Sequence, residues 1–365
     1  MSVIGRIVGG ALGVIVGVTG TSYADTPPSI WEIAKQPARR QAYELHVRVD
    51  RLLHPSAEGS ELGQDVLRIR ELRLEAAKTI LEQGLRDGGE AAASLRIDLG
   101  LVLESLATLQ GRPEAHGPVV DLLAPLADDP GAFGGDPAPL EALATAYAWL
   151  DRPREEVRAW TRYLECVSDD RRRISPLVNL GEAEMRLGDL DRAAAEFRLA
   201  IITCEQLAGA ASLDAEYALA LWDLGVVLDR SGDASAALQV VRRAKAWTWL
   251  ELGPLGASNR VTGWDVIRDH VDVYFVPAWE REWYLAMGET ADADAAPDDI
   301  ATVHMWTAAE EHWQAYLSGA GAAGRWTATA RIRLEHARAR RIECEERLHN
   351  GLLRGTPQKR AQVGQ

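Results

Sequence analysis

Apolar and small side chains recur at helical spacing in the segment from Leu177 to Ala200. The positions are Leu177, Leu180, Gly181, Leu187, Ala193, Phe197 and Ala200. Such a period is typical of amphipathic helices, and here it is interrupted at Gly188 and Asp189. Ser175 and Pro176 are suited to begin the first helix, and Asp189 is suited to cap the second. The segment therefore predicts two amphipathic helices joined by a tight turn.

The same pattern returns in the segments from Leu221 to Ala244 and from Leu140 to Tyr163. In the first of these, Leu-Gly and Gly-Asp recur at the same spacing. The second is looser, because Glu156 stands where a small residue is usual, and Pro153 opens its second helix. A degenerate copy is expected to start at Leu99. The chain thus predicts a series of helical hairpins.

These segments resemble the tetratricopeptide repeat (TPR) family. The resemblance implies an all-α fold, a right-handed solenoid with a divergent helical C-terminal extension, and a concave wall that binds another polypeptide. The small residues Ala144, Gly181 and Gly225 are 37 and 44 residues apart, whereas the family repeat is about 34 residues. We therefore expect longer helices than usual, with the extra residues extending the second helix beyond Ala200.

Less regular segments flank the repeats, which we assign to residues 99–250. Residues 25–98 contain an amphipathic pattern from Asp65 to Gln83 and are expected to cap the solenoid. Residues 251–350 form the C-terminal extension, and residues 351–365 are predicted to be disordered.

Glycine, proline and β-branched residues indicate how the predicted helices are connected. Ala127 to Pro139 is a loop by composition. Leu252 to Gly263 is interpreted as the boundary between the repeats and the extension. Val271 to Phe275 predicts a short strand-like connection, and residues 302–339 predict a derived half-repeat.

Residues 1–24 have the pattern of a secretory leader. Arg6 is the only charged residue before Asp25, and Ile7 to Val18 is an apolar run of the length of a leader core. A small residue at Ala24 offers a cleavage site. An uncleaved membrane anchor is the alternative. Both interpretations place the protein outside the cytoplasm, in the periplasm or attached to the bacterial envelope.

The net charge of the chain disfavours nucleic acid as a partner. The formal net charge is −14, and removal of residues 1–24 with their one Arg changes it to −15. An acidic protein repels phosphate backbones unless a basic stripe compensates. We therefore expect a protein or peptide partner.

The resemblance also implies which residues form the ligand-binding wall, because TPR ligands lie along the first helix of each repeat. By register these are Glu141, Thr145, Trp149, Val178, Glu182, Met185, Arg186, Trp222, Val226, Asp229 and Arg230. A known TPR subclass clamps a C-terminal carboxylate with Lys, Asn and Arg. Only Asn179 matches that set, so carboxylate clamping is not expected.

Tryptophan is concentrated near the C-terminus, with eight of the twelve between Trp247 and Trp326. Clustered aromatic side chains indicate either a partner surface, a glycan platform or a packed core. Trp279 and Trp283 stand four residues apart, as core residues of one helix would.

Catalytic and metal-binding motifs are absent from the sequence. His304 and His312 are about 12 Å apart by helical rise, too far for one zinc ion. We predict no cofactor and no metal. An enzyme would need a site built from Glu280, Glu282, His304 and Glu311.

Three cysteines are present, at positions 166, 204 and 344. Cys166 and Cys204 fall at related points of adjacent repeats, so either a disulfide or free thiols fit the sequence.

The sequence therefore predicts a non-catalytic scaffold or adaptor in the bacterial cell envelope. A structural subunit of a large envelope assembly, acting through its convex and C-terminal surfaces, is the alternative.

Overall fold

The computed structural model describes residues 3–7, 37–53, 66–87, 92–127, 133, 135–207, 213–252, 258–268, 273–297, 299–322 and 324–355. The described chain is predominantly α-helical, as predicted, and its helices form a TPR-like series of hairpins. It divides into two compact units. One comprises residues 8–187, and the other comprises residues 188–365 together with residues 1–7.

Seven helices of the N-terminal unit follow one another along the described chain. They are α1 (Pro37–Leu53), α2 (Val66–Asp87), α3 (Ala92–Gln110), α4 (Gly117–Ala127), α5 (Ala138–Trp149), α6 (Pro153–Cys166) and α7 (Asp170–Leu187). A short 3₁₀ helix, Pro113–His116, precedes α4. Each helix packs on the next. One core contains Leu74, Leu81 and Leu99, and a second contains Leu123 and Trp160.

In the C-terminal unit, helical hairpins alternate with short strands. The helices are α8 (Leu190–Gln206), α9 (Asp214–Arg230), α10 (Ala234–Ala246), α11 (Gly263–Arg268), α12 (Arg281–Ala295), α13 (Ile300–Ala320) and α14 (Thr327–Gly355). A 3₁₀ turn, Ala278–Glu280, leads into α12. The strands are β1 (Val3–Ile7), β2 (Thr248–Leu252), β3 (Ser258–Thr262) and β4 (Val273–Val276). Antiparallel pairing joins β1 to β4 and β2 to β3, with Thr248 opposite Thr262.

Local sequence explains where the predicted turns fall. Gly188 and Gly232 have φ angles of 86° and 96°, in the left-handed region that favours glycine. Asp189 then accepts a hydrogen bond from the backbone N–H of Arg192 at 3.4 Å. Asp233 Oδ1 accepts one from the N–H of Ala236 at 3.1 Å. Both aspartates thus cap the second helix of their hairpin, which confirms the role predicted for Asp189.

Small residues lie where helices cross closely. A methyl group on Gly100 would overlap the side chain of Leu123, and one on Gly225 would overlap Val241. The degenerate copy at Leu99 is therefore a packed helix pair, α3 with α4. The expected extension of the second helix past Ala200 is also present, because α8 continues to Gln206.

One predicted helix start is wrong. α7 begins at Asp170, so Pro176 lies inside it rather than in its first turn. The carboxylate of Asp169 accepts a hydrogen bond from the N–H of Arg171 at 3.0 Å. The Arg173 guanidinium donates to the carbonyls of Leu164 and Val167. These bonds stabilise an additional first turn of α7. They offset the loss of the backbone hydrogen bond that a proline inside a helix cannot donate.

The connections differ from the sequence predictions in two places. Of the break predicted from Leu252 to Gly263, the described residues 252 and 258–262 belong to strands β2 and β3, and residues 253–257 lie outside the described residues. The two compact units divide after Leu187. The tail predicted to be disordered from Gly351 is helical as far as Gly355. α4 ends at Ala127 and α5 begins at Ala138, at the two ends of the predicted Ala127–Pro139 loop, of which residues 128–132 and 134 lie outside the described residues. The predicted strand-like connection is confirmed, as β4.

Most of the predicted leader and tail fall outside the described residues. This holds for residues 8–24 and 356–365, whereas residues 3–7 form β1. Among the described helices, none combines the length and the apolar character needed to cross a membrane.

Candidate functional site

The structure buries nine of the eleven side chains assigned to the ligand-binding wall. Only Glu141 and Thr145 are half-buried. The buried ones are Trp149, Val178, Glu182, Met185, Arg186, Trp222, Val226, Asp229 and Arg230. These nine side chains pack within the described part of the chain, and their role as recognition residues stays a prediction.

Trp149 and Arg186 have partners within the N-terminal unit. The Trp149 ring stacks on His116, with centroids 5.3 Å apart and planes at 8°. The Arg186 guanidinium forms a buried ion pair with Glu156 and lies 3.4 Å from Asp151 Oδ1. Other copies of the repeat have a small residue at the position of Glu156. Here the Glu156 carboxylate pairs with Arg186 of the next helix and neutralises its charge. A buried arginine requires such a partner.

In the C-terminal unit, Trp222 is covered by the segment that follows α10. Its indole N–H donates to the carbonyl of Gly263 at 2.8 Å, and its ring stacks on Trp264 at 5.6 Å. A side chain on Gly263 would overlap the Ala244 carbonyl, and one on Gly288 would overlap Trp264. The close contacts therefore favour glycine at positions 263 and 288. The inner face of α9 is thus filled by the chain itself.

Asp229 and Arg230 belong to a buried polar cluster. Arg230 Nη2 donates to Glu280 Oε2 at 2.6 Å, and its guanidinium lies 4.6 Å from the centre of the Trp283 ring. Arg333 Nε donates to Asp229 Oδ1 at 2.7 Å. These contacts join α9 to α14 and to the turn before α12. Asp229 and Arg230 therefore have a structural role, because their bonds connect elements of the same unit.

A second bond of this cluster links Asp223 to α12. The Tyr284 hydroxyl donates to Asp223 Oδ1 at 2.6 Å. Burial raises the pKa of Asp223, and it also raises the pKa of Asp229.

Glu141, one of the two half-buried wall residues, lies among other acidic groups. The pKa of Glu141 is raised to about 7, mainly by burial and also by the nearby carboxylates of Glu104 and Asp136, while Arg172 lowers it. Glu104 lies on α3, Glu141 on α5 and Arg172 on α7, so three first helices contribute to the recess. We call Glu104, Asp136, Glu141, Tyr163 and Arg172 the acidic recess.

Other members of the acidic recess show the same influence of burial. Burial raises the pKa of Asp136, whose carboxylate accepts a hydrogen bond from the Ala138 N–H at 3.0 Å. Burial and the charge of Glu141 raise the pKa of the Tyr163 phenol to about 12. The recess therefore combines poorly solvated carboxyl groups with a neutral phenol. This is an environment that a cation stabilises.

Sequence reasoning found Glu141 and missed its neighbours. Glu104 lies one turn beyond Gly100, on the first helix of the degenerate copy, which was not assigned to the wall. Asp136 precedes the helix and reads locally as a cap. Only the packing of α3 against α5 places these groups together.

Replacing Glu141 with glutamine is expected to stabilise the protein at alkaline pH. The folded pKa of about 7 exceeds the ordinary value of 4.5. Between these values the folded state retains a proton that the unfolded state releases, so stability falls as the pH rises through this window. Glu141→Gln removes the penalty, which we set at about 2 kcal/mol near pH 8 after a discount for partial exposure.

Urea unfolding at several pH values measures this effect. The gain should vanish near pH 4, where the carboxyl group is protonated in both states. Glu165, exposed on α6 outside the recess, provides the matched control Glu165→Gln. Equal stability of Glu141→Gln and the native chain near pH 8 would contradict the raised pKa.

Residues suggested for an enzymatic site do not converge. Glu280 is buried against Arg230, whereas Glu282 pairs with His312 Nδ1 at 2.7 Å. His304 and Glu311 are exposed on α13. In the described part of the chain, no group of three or more His, Cys, Asp or Glu side chains could hold a metal ion.

Three of the eight tryptophans between Trp247 and Trp326 are core residues. Trp283, Trp306 and Trp313 are almost completely buried. Trp283 meets Trp313 and Tyr316 edge to face, at 4.9 Å in each case. The core interpretation therefore holds for these residues, and Trp247 stays partly exposed.

The cysteines carry free thiols. Cys166 is exposed, whereas Cys204 and Cys344 are buried. Burial raises the pKa of Cys204 to about 12, which keeps its thiol protonated and unreactive.

Comparisons with known proteins give similarity to solved structures and no family. No family model matches the chain. No curated protein matches it either. The crystal structure of BtubC (BKLC) from P. vanneervenii is 17% identical, with a TM-score of 0.40, over 58% of this chain and 87% of that one. The crystal structure of the APC/C hetero-tetramer Cut9-Hcn1 is 13% identical, with a TM-score of 0.24, over 81% of this chain and 66% of that one. Both TM-scores are below 0.5, so neither similarity bears on function.

Proposed function

We propose that this protein is a non-catalytic scaffold of the bacterial cell envelope that binds a basic segment of a partner polypeptide. The binding surface is the concave wall of first helices, at the acidic recess. The observation that carries the proposal is Glu141, a half-buried carboxyl group whose pKa is raised to about 7 on that wall. A lysine or arginine side chain is the complement of such a group.

The array of hairpins supports this function. Repeat arrays present long surfaces on rigid helices, and extended or helical peptides dock on them. Thr145 follows Glu141 by one helical turn on α5 and remains half-buried. A peptide that passes Thr145 therefore reaches the recess. The buried residues further along the wall act in stability and not in recognition.

Binding is coupled to proton release. A cation in the recess lowers the pKa of Glu141, because it favours the charged form of the carboxyl group. The complex consequently forms more readily when Glu141 is already ionised. Affinity for a basic peptide should rise about tenfold between pH 6 and pH 8, through the window centred on a pKa of about 7.

A library of fluorescent peptides with single lysines in an alanine and serine background tests the proposal with the full chain. At pH 8, Glu141→Lys should abolish the binding of the best peptide, whereas Glu165→Lys should leave it unchanged. Binding that does not depend on pH and survives Glu141→Lys would show that the recess is not the site.

Export is a separate component of the proposal. The pattern of residues 1–24 supports it. Mass spectrometry of the N-terminus after expression in a bacterium tests it directly. A chain that begins at Asp25 is expected, and an intact Met1 contradicts cleavage while leaving the anchor interpretation.

The alternative, a structural subunit of an envelope assembly, is favoured by one observation. The chain's own segment fills the inner face of α9 at Trp222, which leaves less of the wall for a ligand. If no peptide binds at the recess and truncation after Leu252 abolishes recovery of partners from envelope extracts, this alternative replaces the peptide-binding scaffold.

A further inference from the structure

The strand β4 takes its partner from the far end of the chain. β1 pairs with it in antiparallel register, with Val3 opposite Val276 and Ile7 opposite Val273. The two strands form a sheet of their own, and β4 pairs with no other strand in the described part of the chain. β1 also contacts α9 and the 3₁₀ turn that precedes α12. We call β4, together with the parts of α9 and of this turn that contact β1, the acceptor site.

β4 is attached to the core of the C-terminal unit through Phe275. The Phe275 ring meets the Tyr284 ring edge to face, with centroids 5.2 Å apart. Tyr284 is completely buried, and its hydroxyl donates to Asp223 Oδ1 on α9 at 2.6 Å. None of these contacts involves β1. β4 is therefore a fixed strand on which an extended segment can pair through main-chain hydrogen bonds.

β1 itself belongs to residues 1–24, which have the pattern of a secretory leader. Cleavage after Ala24 removes β1 and leaves the main-chain N–H and C=O groups along one edge of β4 without their partners. Such an edge pairs readily with an extended segment of another chain. This step rests on the export component of the proposed function.

We propose that the acceptor site binds an extended segment of another polypeptide as a strand, and that residues 3–7 occupy the site until the leader is removed. The sequence of β1, VIGRI, indicates the chemistry of the occupant. Three of its five residues are β-branched, which favours an extended conformation. The partner segment is accordingly a short strand that is rich in valine and isoleucine and carries little charge.

Proline substitutions in the full chain open the acceptor site without removing any residue. R6P/I7P eliminates the main-chain N–H groups at two consecutive positions of β1 that pair with β4. The probe is a fluorescein-labelled peptide with the sequence of residues 2–8, SVIGRIV. It should bind R6P/I7P about 100-fold more tightly than the native chain, because β1 of the native chain competes at a high effective concentration. Fluorescence polarisation measures the Kd.

Two controls separate strand pairing from the adhesion of apolar side chains. The same peptide N-methylated at the positions of Arg6 and Ile7 keeps every side chain but loses two N–H groups, so it should bind about 10-fold more weakly. The variant G9P/G10P, whose substitutions lie outside β1, should bind the peptide no better than the native chain. Circular dichroism checks that each variant is folded.

Disulfide cross-linking in the R6P/I7P chain tests the register. A peptide with cysteine in place of Ile7 should cross-link to Val273→Cys in preference to Val276→Cys. A peptide with cysteine in place of Val3 should show the opposite preference, because the pairing is antiparallel. The R6P/I7P chain without an added cysteine measures the background from the exposed Cys166.

Equal binding of the peptide by R6P/I7P and by the native chain overturns the proposal. Equal binding of the N-methylated and unmodified peptides, or cross-linking without a preference between the two positions, overturns it as well. None of these outcomes depends on cleavage after Ala24 or on peptide binding at the acidic recess. A failure of the proposed function is therefore distinguishable from a failure of the acceptor site.

Discussion

Replacing Arg230 with methionine is expected to lower the free energy of unfolding by about 3–5 kcal/mol. Arg230 and Glu280 form an ion pair at 2.6 Å, and their side chains are 0% and 1% exposed. Methionine fills much of the arginine volume but leaves the Glu280 carboxylate buried without its counter-ion. An unpaired charge in that position costs more than the pair itself contributes. Urea unfolding followed by circular dichroism measures the loss.

Two further variants separate charge from packing. The double variant R230M/E280L removes both charges and should recover most of the stability, because apolar residues of similar volume replace buried ion pairs at little cost. Arg192, whose ion pair with Asp189 is largely exposed, is the control. Arg192→Ala should change the free energy by less than about 1 kcal/mol. An equal effect at the two arginines would contradict the role assigned to Arg230.

The second large effect is expected at Trp222. Trp222→Ala should cost about 3–5 kcal/mol, since it leaves a cavity under Trp264. It also removes the indole N–H that donates to the Gly263 carbonyl at 2.8 Å. Trp247 is 37% exposed, so Trp247→Ala should cost less than about 1 kcal/mol.

This experiment distinguishes the two interpretations of Trp222. As a residue of an exposed ligand wall, it would affect peptide binding and leave the unfolding midpoint unchanged. As a core residue, it changes the midpoint and alters binding only by destabilising the fold. An unchanged midpoint in urea for Trp222→Ala would restore the wall interpretation.

Hairpins and their ends were predictable because they depend on neighbours in the sequence. The helical period of apolar residues, the turn at Gly188 and the cap at Asp189 all act within a few residues. The helix start predicted at Pro176 is wrong because it depends on contacts beyond the neighbouring residues. Its helix extends back to Asp170 because Arg173 bonds to carbonyls of the preceding helix, which a local signal does not include.

The accessible part of the wall was not predictable from register alone. Trp222 and Arg230 occupy wall positions, but they are buried by Gly263 and Glu280, 41 and 50 residues further along the chain. Glu141 lies on the same kind of position and stays half-buried.

Local periodicity and turn chemistry in this chain specify helices, caps and hairpin order, since each depends on backbone hydrogen bonds between near neighbours. Burial, ion pairing and the raised pKa of Glu141 depend on which distant segment covers a given helix face, and that choice is made by packing over the whole unit. For this reason the amino-acid pattern identified a TPR-like array. Only the tertiary packing decided that Arg230 and Trp222 are buried while Glu141 stays half-buried.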